Sequence, residues 1–379
     1  MRIVLSGIET NNKGAELMLY AILKEIENVH PQATVYVPNF AVKQGLSYVK
    51  TSIDLRYKPR RWMSIWHICG LFRRLRLPYL ALTDAAAVPN IDYFIDASGF
   101  AFSDQWNLDD ERVAFWKYQL EGYKKQGTKI VFLPQAFGPV QKENTKKLLA
   151  ILNANADVIM PREKVSYSYL KEANVDEDKI RLCTDFTSLV KGFCPEKYLH
   201  LKNGICIIPN MRMIDKGIIC MEDYLEVLSH IINISKSKGF CVYLLNHEGK
   251  DDELLAYKCQ ELLSHNIEVV TGLNALEVKG LISTAYLCVT SRFHGVASAL
   301  NSSVPCLATS WSHKYKELFN DYRLNDCVLD LGDKSGILNK IDDFLDKTNN
   351  ANIRKHLNQQ VALIQKDTKE MWQFVWNNV

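Results

Sequence analysis

Short apolar runs alternate with longer amphipathic stretches along most of the chain. This alternation is typical of strands and helices in a parallel sheet that is covered by helices on both faces. In the first half, the pattern predicts strands at residues 2–5, 34–37, 91–96, 129–133 and 157–160, and helices at 15–28, 111–126, 142–155 and 163–172. The predicted fold class is therefore α/β.

The second half repeats the alternation after an irregular stretch, 186–203, which we interpret as a linker. The predicted strands are 204–209, 240–245, 267–270, 286–290 and 304–308, and the predicted helices are 222–236, 251–263, 275–283 and 293–301. We expect two Rossmann-like domains, 1–190 and 204–345, facing each other across a cleft at the carboxyl ends of both sheets, where ligands of such sheets bind. The pattern at 350–379 predicts a C-terminal helix that packs back on the first domain.

Composition and charge exclude several classes of protein. With 379 residues, 47% hydrophobic and 23% charged, the chain can bury the cores of two ordinary domains. The net charge of +3 is too small to indicate nucleic-acid binding. Ten cysteines without a CxxC pair are typical of reduced thiols, and we expect a cytoplasmic protein without signal peptide or membrane span.

One stretch departs from this average composition. Residues 56–80 form a basic amphipathic segment that interleaves arginines with apolar residues, including Trp62 and Trp66, and contains no acidic residue. Such a segment suits the surface of an anionic membrane, here the inner face of the cell membrane. A helix packed on its own domain with solvated arginines would have the same pattern.

The most informative segment follows the predicted strand 286–290. Ser291 is placed to cap the next helix, whose core stripe begins at Phe293 and leaves Arg292 and His294 on its flanks. Backbone N–H groups and a guanidinium at a helix N-terminus favour an anion, and a histidine can move a proton near neutral pH. The alternative is an arginine that pairs with a nearby carboxylate and a histidine that hydrogen-bonds a loop.

Further candidates lie where other predicted strands end. Arg162 and Arg212 are cationic candidates, each with a surface role as the alternative, and the loop candidates for acceptor or cleft contacts are Asn12, Lys13, Gly14, Ser98, Gly99 and Gln135. The first loop lacks both GxGxxG and a P-loop, which disfavours dinucleotide or ATP binding. A metal site at 246–252 is disfavoured because no second histidine or cysteine accompanies His247, so no metal is expected.

In combination, these residues resemble the polysaccharide pyruvyl transferase family over nearly the whole chain. The resemblance rests on 12–17, Ser98-Gly99, 133–139, Arg162-Glu163 with Ser166 and Leu170, Asp185 with Leu189, and Ser291-Arg292-Phe293-His294-Gly295 followed by Ala297. Two positions depart from the family pattern. Gly14-Ala15-Glu16 stands where the family often has Gly-Asp, and Ala97-Ser98-Gly99 stands where it has a run of glycines.

The resemblance implies a fold like that of GT-B glycosyltransferases and transfer of the pyruvyl group of phosphoenolpyruvate to a sugar, forming a ketal with release of phosphate. It implies that Arg162, Arg292, Phe293 and His294 hold the donor, and we add Ser291 and Arg212 to this group. The catalytic candidates are His294, Arg292 and Arg162. We expect no cofactor besides the donor substrate and a lipid-linked saccharide acceptor, a precursor of a capsule or exopolysaccharide. The alternatives are a GT-B glycosyltransferase that uses a nucleotide sugar and a non-catalytic carbohydrate-binding protein.

Overall fold

The protein is described from a computed structural model that covers residues 1–37, 54–55, 91–262, 267–309 and 314–379. The chain divides into two compact units. The first unit comprises Met1–Thr10, Met18–Phe186 and Lys369–Val379, and the second comprises Asn11–Leu17 and Thr187–Thr368. The predicted basic segment 56–80 lies outside the described residues.

The first unit is built on a six-stranded parallel sheet in the order β3-β2-β1-β4-β5-β6. Its strands are β1 (Arg2–Ser6), β2 (Thr34–Tyr36), β3 (Asp54–Leu55), β4 (Tyr93–Asp96), β5 (Lys129–Gln135) and β6 (Val158–Pro161). All residues of β4 and β6 are buried, as expected for strands covered on both faces. The register Ile3↔Tyr93 places β1 beside β4, and the carboxyl ends of β4, β5 and β6 follow one another along one edge.

In the described part of this unit, several α-helices accompany the sheet. They are α1 (Lys13–Val29), α2 (Asp110–Lys125), α3 (Glu143–Asn155) and α4 (Lys164–Glu172). Asp109 begins α2 by accepting a hydrogen bond from the Arg112 N–H at 2.8 Å, which satisfies a donor of the first turn. Phe94, Phe102 and Phe132 lie in the buried core of this unit.

The second unit repeats the architecture with a parallel sheet in the order β12-β11-β10-β7-β8-β9. Its strands are β7 (Ile205–Ile208), β8 (Val242–Leu245), β9 (Glu268–Val270), β10 (Leu287–Thr290), β11 (Cys306–Thr309) and β12 (Val328–Leu329). Its helices are α5 (Arg212–Asp215), α6 (Met221–Ser237), α7 (Gly249–Glu261), α8 (Ala275–Ser283), α9 (Phe293–Asn301), α10 (Lys314–Asp321), α11 (Lys334–Leu345) and α12 (Lys347–Asn378). Since β10 lies between β7 and β11, the helix that follows it starts near the middle of the sheet edge.

The last turns of α12 belong to the first unit. Trp372 is 2% exposed and meets Phe186 edge-on, with ring centroids 5.9 Å apart. Trp376 stacks on Trp372 and donates its indole N–H to Glu25 at 3.3 Å. The predicted packing of the C-terminal helix on the first domain is therefore confirmed.

The sequence pattern differs from the structure at the linker and in the region after 308, among other places. The stretch interpreted as a linker belongs to the second unit from Thr187 onward, where the Phe193 N–H donates to Leu276 O at 3.1 Å. The pattern also missed β12, α10 and α11 in the region after 308. Among the helices of the described residues, none is long and apolar enough to cross a bilayer.

Candidate functional site

The corner between β10 and α9 carries Arg292 at the N-cap position. The Arg292 N–H donates to Thr290 Oγ1 at 3.0 Å, and no side chain caps the helix. The prediction that Ser291 is the cap is wrong, because its hydroxyl points into the core, 3.2 Å from the Tyr224 hydroxyl. The Ser291 carbonyl accepts from Tyr315 Oη at 2.5 Å, so the corner is fixed by the interior of the unit.

The predicted core stripe of α9 is confirmed. Val296, Ala297 and Leu300 are completely buried, and Phe293 is 9% exposed. Burial of this face holds the start of the helix against the sheet and positions the polar residues on either side of Phe293.

The Arg292 guanidinium is paired with two carboxylates. Its Nε and Nη2 donate to Asp252 Oδ2 at 2.8 and 2.5 Å, and its Nη1 donates to Glu248. Both carboxylates come from the segment around the start of α7, which follows β8, the second strand along from β10. The sequence had left a carboxylate-paired arginine open as the alternative, and this pairing is present. In the described part of the chain, no group of three or more His, Cys, Asp or Glu side chains could hold a metal ion.

His294 lies against the start of α1. A Cβ added at Gly14 would lie 2.7 Å from His294 Cγ and 2.9 Å from Cε1, so the backbone of α1 touches the imidazole. Asn12 begins α1 by accepting from the Gly14 N–H at 2.8 Å, and it forms an isolated antiparallel bridge with Glu248. The loop that the sequence assigned to the first domain therefore belongs to the second unit, together with His294.

Lys13, the remaining candidate of this loop, forms an ion pair with Glu16. Its Nζ lies 2.7 Å from Glu16 Oε2, and the Glu16 side chain is almost fully buried. Burial raises the pKa of the Glu16 carboxyl, and the ammonium of Lys13 opposes that shift. The start of α1 thus carries a charged pair beside His294.

Sequence reasoning missed His247 as a member of this cluster. The side chain is 4% exposed, and its Nδ1 has no hydrogen-bond partner among the described residues. Burial lowers the pKa of His247 well below its usual range, and electrostatic interaction with Arg292, His294 and Lys13 lowers it further. Its position in the sequence could have identified it, because His247 lies just after the end of β8, as Arg292 lies just after the end of β10.

Arg212 has a different environment. Its side chain is 53% exposed and pairs with Asp215 at 3.4 Å, within the single turn of α5. The neighbouring backbone is part of the site instead, because the Met211 N–H donates to Asp252 Oδ1 at 2.9 Å. The surface role that the sequence gave as the alternative for Arg212 is the one observed.

The first unit brings its own candidates together at the carboxyl ends of β4, β5 and β6. Ser98 Oγ and Gln135 Nε2 donate to the two oxygens of Asp96, at 2.9 and 3.1 Å. Burial raises the pKa of Asp96, a residue that the sequence analysis did not single out. The Arg162 N–H donates to Gln135 O at 3.0 Å, and its side chain is buried. Gly99 has a φ of +71°, which suits glycine, and its carbonyl accepts from Ala136 N–H at 2.9 Å.

Solved structures share this fold at low sequence identity. The UDP-GlcNAc 2-epimerase from Neisseria meningitidis is 12% identical, with a TM-score of 0.59 over 100% of both chains. HepE from Anabaena, solved with UDP-glucose, is 12% identical with a TM-score of 0.62 over 98% of this chain and 99% of that chain. S. aureus MnaA, solved with UDP, is 13% identical with a TM-score of 0.58 over 100% and 98%. The predicted GT-B-like fold class is confirmed by these similarities.

A family model described as polysaccharide pyruvyl transferase matches residues 12–313. The matched range includes every candidate residue of both units, from Asn12 to His294. It agrees with the resemblance that the motifs indicated, including the segment 291–295. The chain belongs to the polysaccharide pyruvyl transferase family.

Proposed function

We propose that the protein transfers the pyruvyl group of phosphoenolpyruvate to a saccharide, forming a pyruvate ketal and releasing phosphate. Family membership supports a transferase of this kind. The observation that carries the proposal is the grouping of Arg292, His294, Lys13 and His247 in the second unit. Arg292 and Lys13 supply positive charge, and His294 supplies an imidazole that can exchange a proton, which is what a phosphorylated enol donor requires.

The donor carries a phosphate and a carboxylate, so its binding needs cationic and N–H donors. Arg292 supplies a guanidinium at the N-cap of α9, where the backbone N–H groups of the first turn also favour an anion. Lys13 adds a second cation beside His294. The family resemblance assigns donor binding to Arg162 and Phe293 as well.

The reaction balances when the two protons lost by the sugar hydroxyls are taken up, one by C3 of the enol and one by the departing phosphate. A proton is added to C3 of the enol, and the oxygen of one sugar hydroxyl bonds to C2 and loses its proton. A second hydroxyl of the same sugar then bonds to C2 and loses its proton, while the bond from C2 to the phosphate oxygen breaks. We assign one of these proton transfers, or stabilisation of the leaving phosphate, to His294, a contribution on the order of 10²-fold or more for a general acid or base.

The proposed acceptor is a saccharide of a surface-polysaccharide precursor carried on a lipid, and no cofactor besides the donor is required. A peripheral contact of 56–80 with an anionic membrane would bring the enzyme to such an acceptor. Sedimentation with anionic and neutral vesicles at low and high salt tests this part. Salt-sensitive binding to anionic vesicles alone is expected, and absence of binding would contradict it.

The donor assignment is tested by calorimetric titration with phosphoenolpyruvate. Arg292→Ala is expected to weaken binding by on the order of tenfold or more, because a charge-assisted pair of hydrogen bonds is lost. Lys258→Ala, which removes an exposed cation from α7, is the matched control and should bind as the wild type does. Arg162→Ala, checked for folding by circular dichroism, tests the residue that the resemblance adds.

The same titration separates the alternatives. UDP-glucose and UDP-GlcNAc are the appropriate second ligands, because the neighbours of similar fold were solved with them. Binding of a nucleotide sugar without binding of phosphoenolpyruvate would contradict the proposal and favour a glycosyltransferase. Binding of neither would favour the non-catalytic carbohydrate-binding alternative.

A further inference from the structure

The two carboxylates on Arg292 differ in burial and in the hydrogen bonds that hold them. Asp252 has a side chain only 1% exposed, and both of its oxygens are engaged. Oδ2 accepts from Nε and Nη2 of Arg292, and Oδ1 accepts from the Met211 N–H at 2.9 Å. Removing this carboxylate would leave a largely buried guanidinium and a backbone donor without their acceptor. Moving the Asp252 carboxylate away from Arg292 would therefore carry a high energetic cost.

Glu248 is held far less firmly. Its side chain is 26% exposed, and within the described residues its carboxylate is hydrogen-bonded to Arg292 Nη1 alone. It occupies the N-cap position of α7 without making a side-chain cap, so the helix loses no hydrogen bond when the carboxylate moves. Water can solvate a carboxylate in this position, which keeps the cost of breaking the pair low.

We propose that Glu248 is a displaceable carboxylate that occupies the anion-binding side of Arg292, while Asp252 is the positioning residue that orients the guanidinium. Nε and Nη2 remain on Asp252, and the outer Nη1 side becomes available when Glu248 swings away. An incoming phosphate or carboxylate takes its place and receives charge-assisted hydrogen bonds from a guanidinium that is already aligned. The inference rests on the proposed donor binding at Arg292 and adds a competitor that the donor must displace.

The backbone of Glu248 is tied to the start of α1. Glu248 pairs with Asn12 in an antiparallel bridge, and Asn12 caps the helix whose Gly14 touches His294. The backbone of Glu248 is therefore held beside the segment that contacts His294, while the proposed displacement moves only its side chain. Glu248 is then a specificity-determining residue, because a ligand must carry a negative charge that replaces its carboxylate beside Arg292.

Glu248→Gln tests the competition, because it keeps the size of the side chain and removes its charge. Titration with phosphoenolpyruvate, and separately with inorganic phosphate, is expected to show an affinity increased about fivefold. The reason is that a neutral amide pairs less strongly with the Arg292 guanidinium than the carboxylate does, so the ligand displaces it at lower cost. Asp251→Asn is the matched control, since it removes the same charge from an exposed position in the first turn of α7. It should leave both affinities unchanged. In an Arg292→Ala background, Glu248→Gln should have no effect on either ligand.

Asp252→Asn tests the positioning role and should weaken both ligands by on the order of tenfold or more, because the guanidinium is left misaligned beside an amide donor. Asp252→Glu, which restores the charge, should recover part of that loss, a rescue that a purely structural role would not give. Wild-type binding of phosphoenolpyruvate with unchanged or weaker binding in Glu248→Gln would overturn the inference alone. No binding of phosphoenolpyruvate by the wild type would overturn the proposed function and the inference together.

Discussion

At Gly14, α1 has no room for a side chain on the face that meets His294. We expect Gly14→Ala to push the imidazole out of position, because a methyl group there would lie 2.7 Å from Cγ. If His294 transfers a proton in the reaction, turnover should fall on the order of 10²-fold. The measurement is the rate of phosphate release from phosphoenolpyruvate in the presence of acceptor.

The control for this substitution is Gly122→Ala in α2, where nothing lies within 4 Å of the added methyl group. Alanine in an open helical position should raise the stability of the protein by about 0.5–1 kcal/mol and leave turnover unchanged. Full activity in Gly14→Ala would show that contact between α1 and the imidazole has no part in catalysis.

His247 gives the stability of the protein a defined pH dependence. Its pKa is lowered well below 6.5 in the folded protein, first by burial and then by the charge of Arg292 and other cations, so the folded state holds it neutral. The unfolded chain protonates this side chain below pH ~6.5 and so binds more protons than the folded state. The contribution to stability is present above that pH. It is lost as the pH falls toward the folded pKa, at up to about 1.4 kcal/mol per pH unit.

Denaturant unfolding of wild type and His247→Asn between pH 5 and 8 measures this slope. As the pH falls, the free energy of unfolding should decrease less steeply in the variant than in the wild type. The difference in slope should correspond to the binding of about one proton. His230→Asn, which removes an exposed imidazole from α6, is the matched control. Equal slopes for wild type and His247→Asn would contradict a neutral buried imidazole.

Among the elements, those with apolar residues on both faces were predictable. β4, β6 and β10 are buried along their whole length, so the apolar runs located them within a few residues. β5 continues to Gln135, two residues beyond the prediction, because Gln135 still pairs with Pro161 of β6. The missed helix α11 carried a readable signal, since Ile337, Ile341, Phe344 and Leu345 have helical spacing and are buried.

The sequence could predict candidate site residues within each connection between a strand and the next helix, but not the distant residues that pair with them. The segment after β10 identified Arg292 and His294, because residue type and position together indicate anion binding. The carboxylates that pair with Arg292 lie 40 and 44 residues away, and periodicity cannot determine which ones approach it. The cap assigned to Ser291 was wrong for a related reason, because the competing partner of the hydroxyl, Tyr224, is 67 residues away.

At the scale of the whole chain, the two units are not two consecutive pieces of sequence. α1 and α12 each supply residues to both units, and Asn11–Leu17 belongs to the second unit although residues on either side belong to the first. A domain boundary predicted from the order of the sequence places residues 12–14 in the first unit, because they follow β1. Long-range packing assigns them to the unit of Arg292 and His294 instead, so the departures from the family pattern at Gly14-Ala15-Glu16 concern the candidate residues of that unit.

The C-terminal end of α12 offers a test of this organisation. Trp372→Ala should destabilise the first unit by about 3–5 kcal/mol, because it empties a buried site that Phe186 and Trp376 line. Hydrogen exchange followed by mass spectrometry should show faster exchange in β1 and β4, with β7 and β10 unchanged. Leu363→Ala is the control from the same helix, since Leu363 is 49% exposed and its loss should cost less than about 0.5 kcal/mol. Equal loss of protection in both units would show that they unfold as one cooperative body, in which the tryptophan supports the second sheet as much as the first.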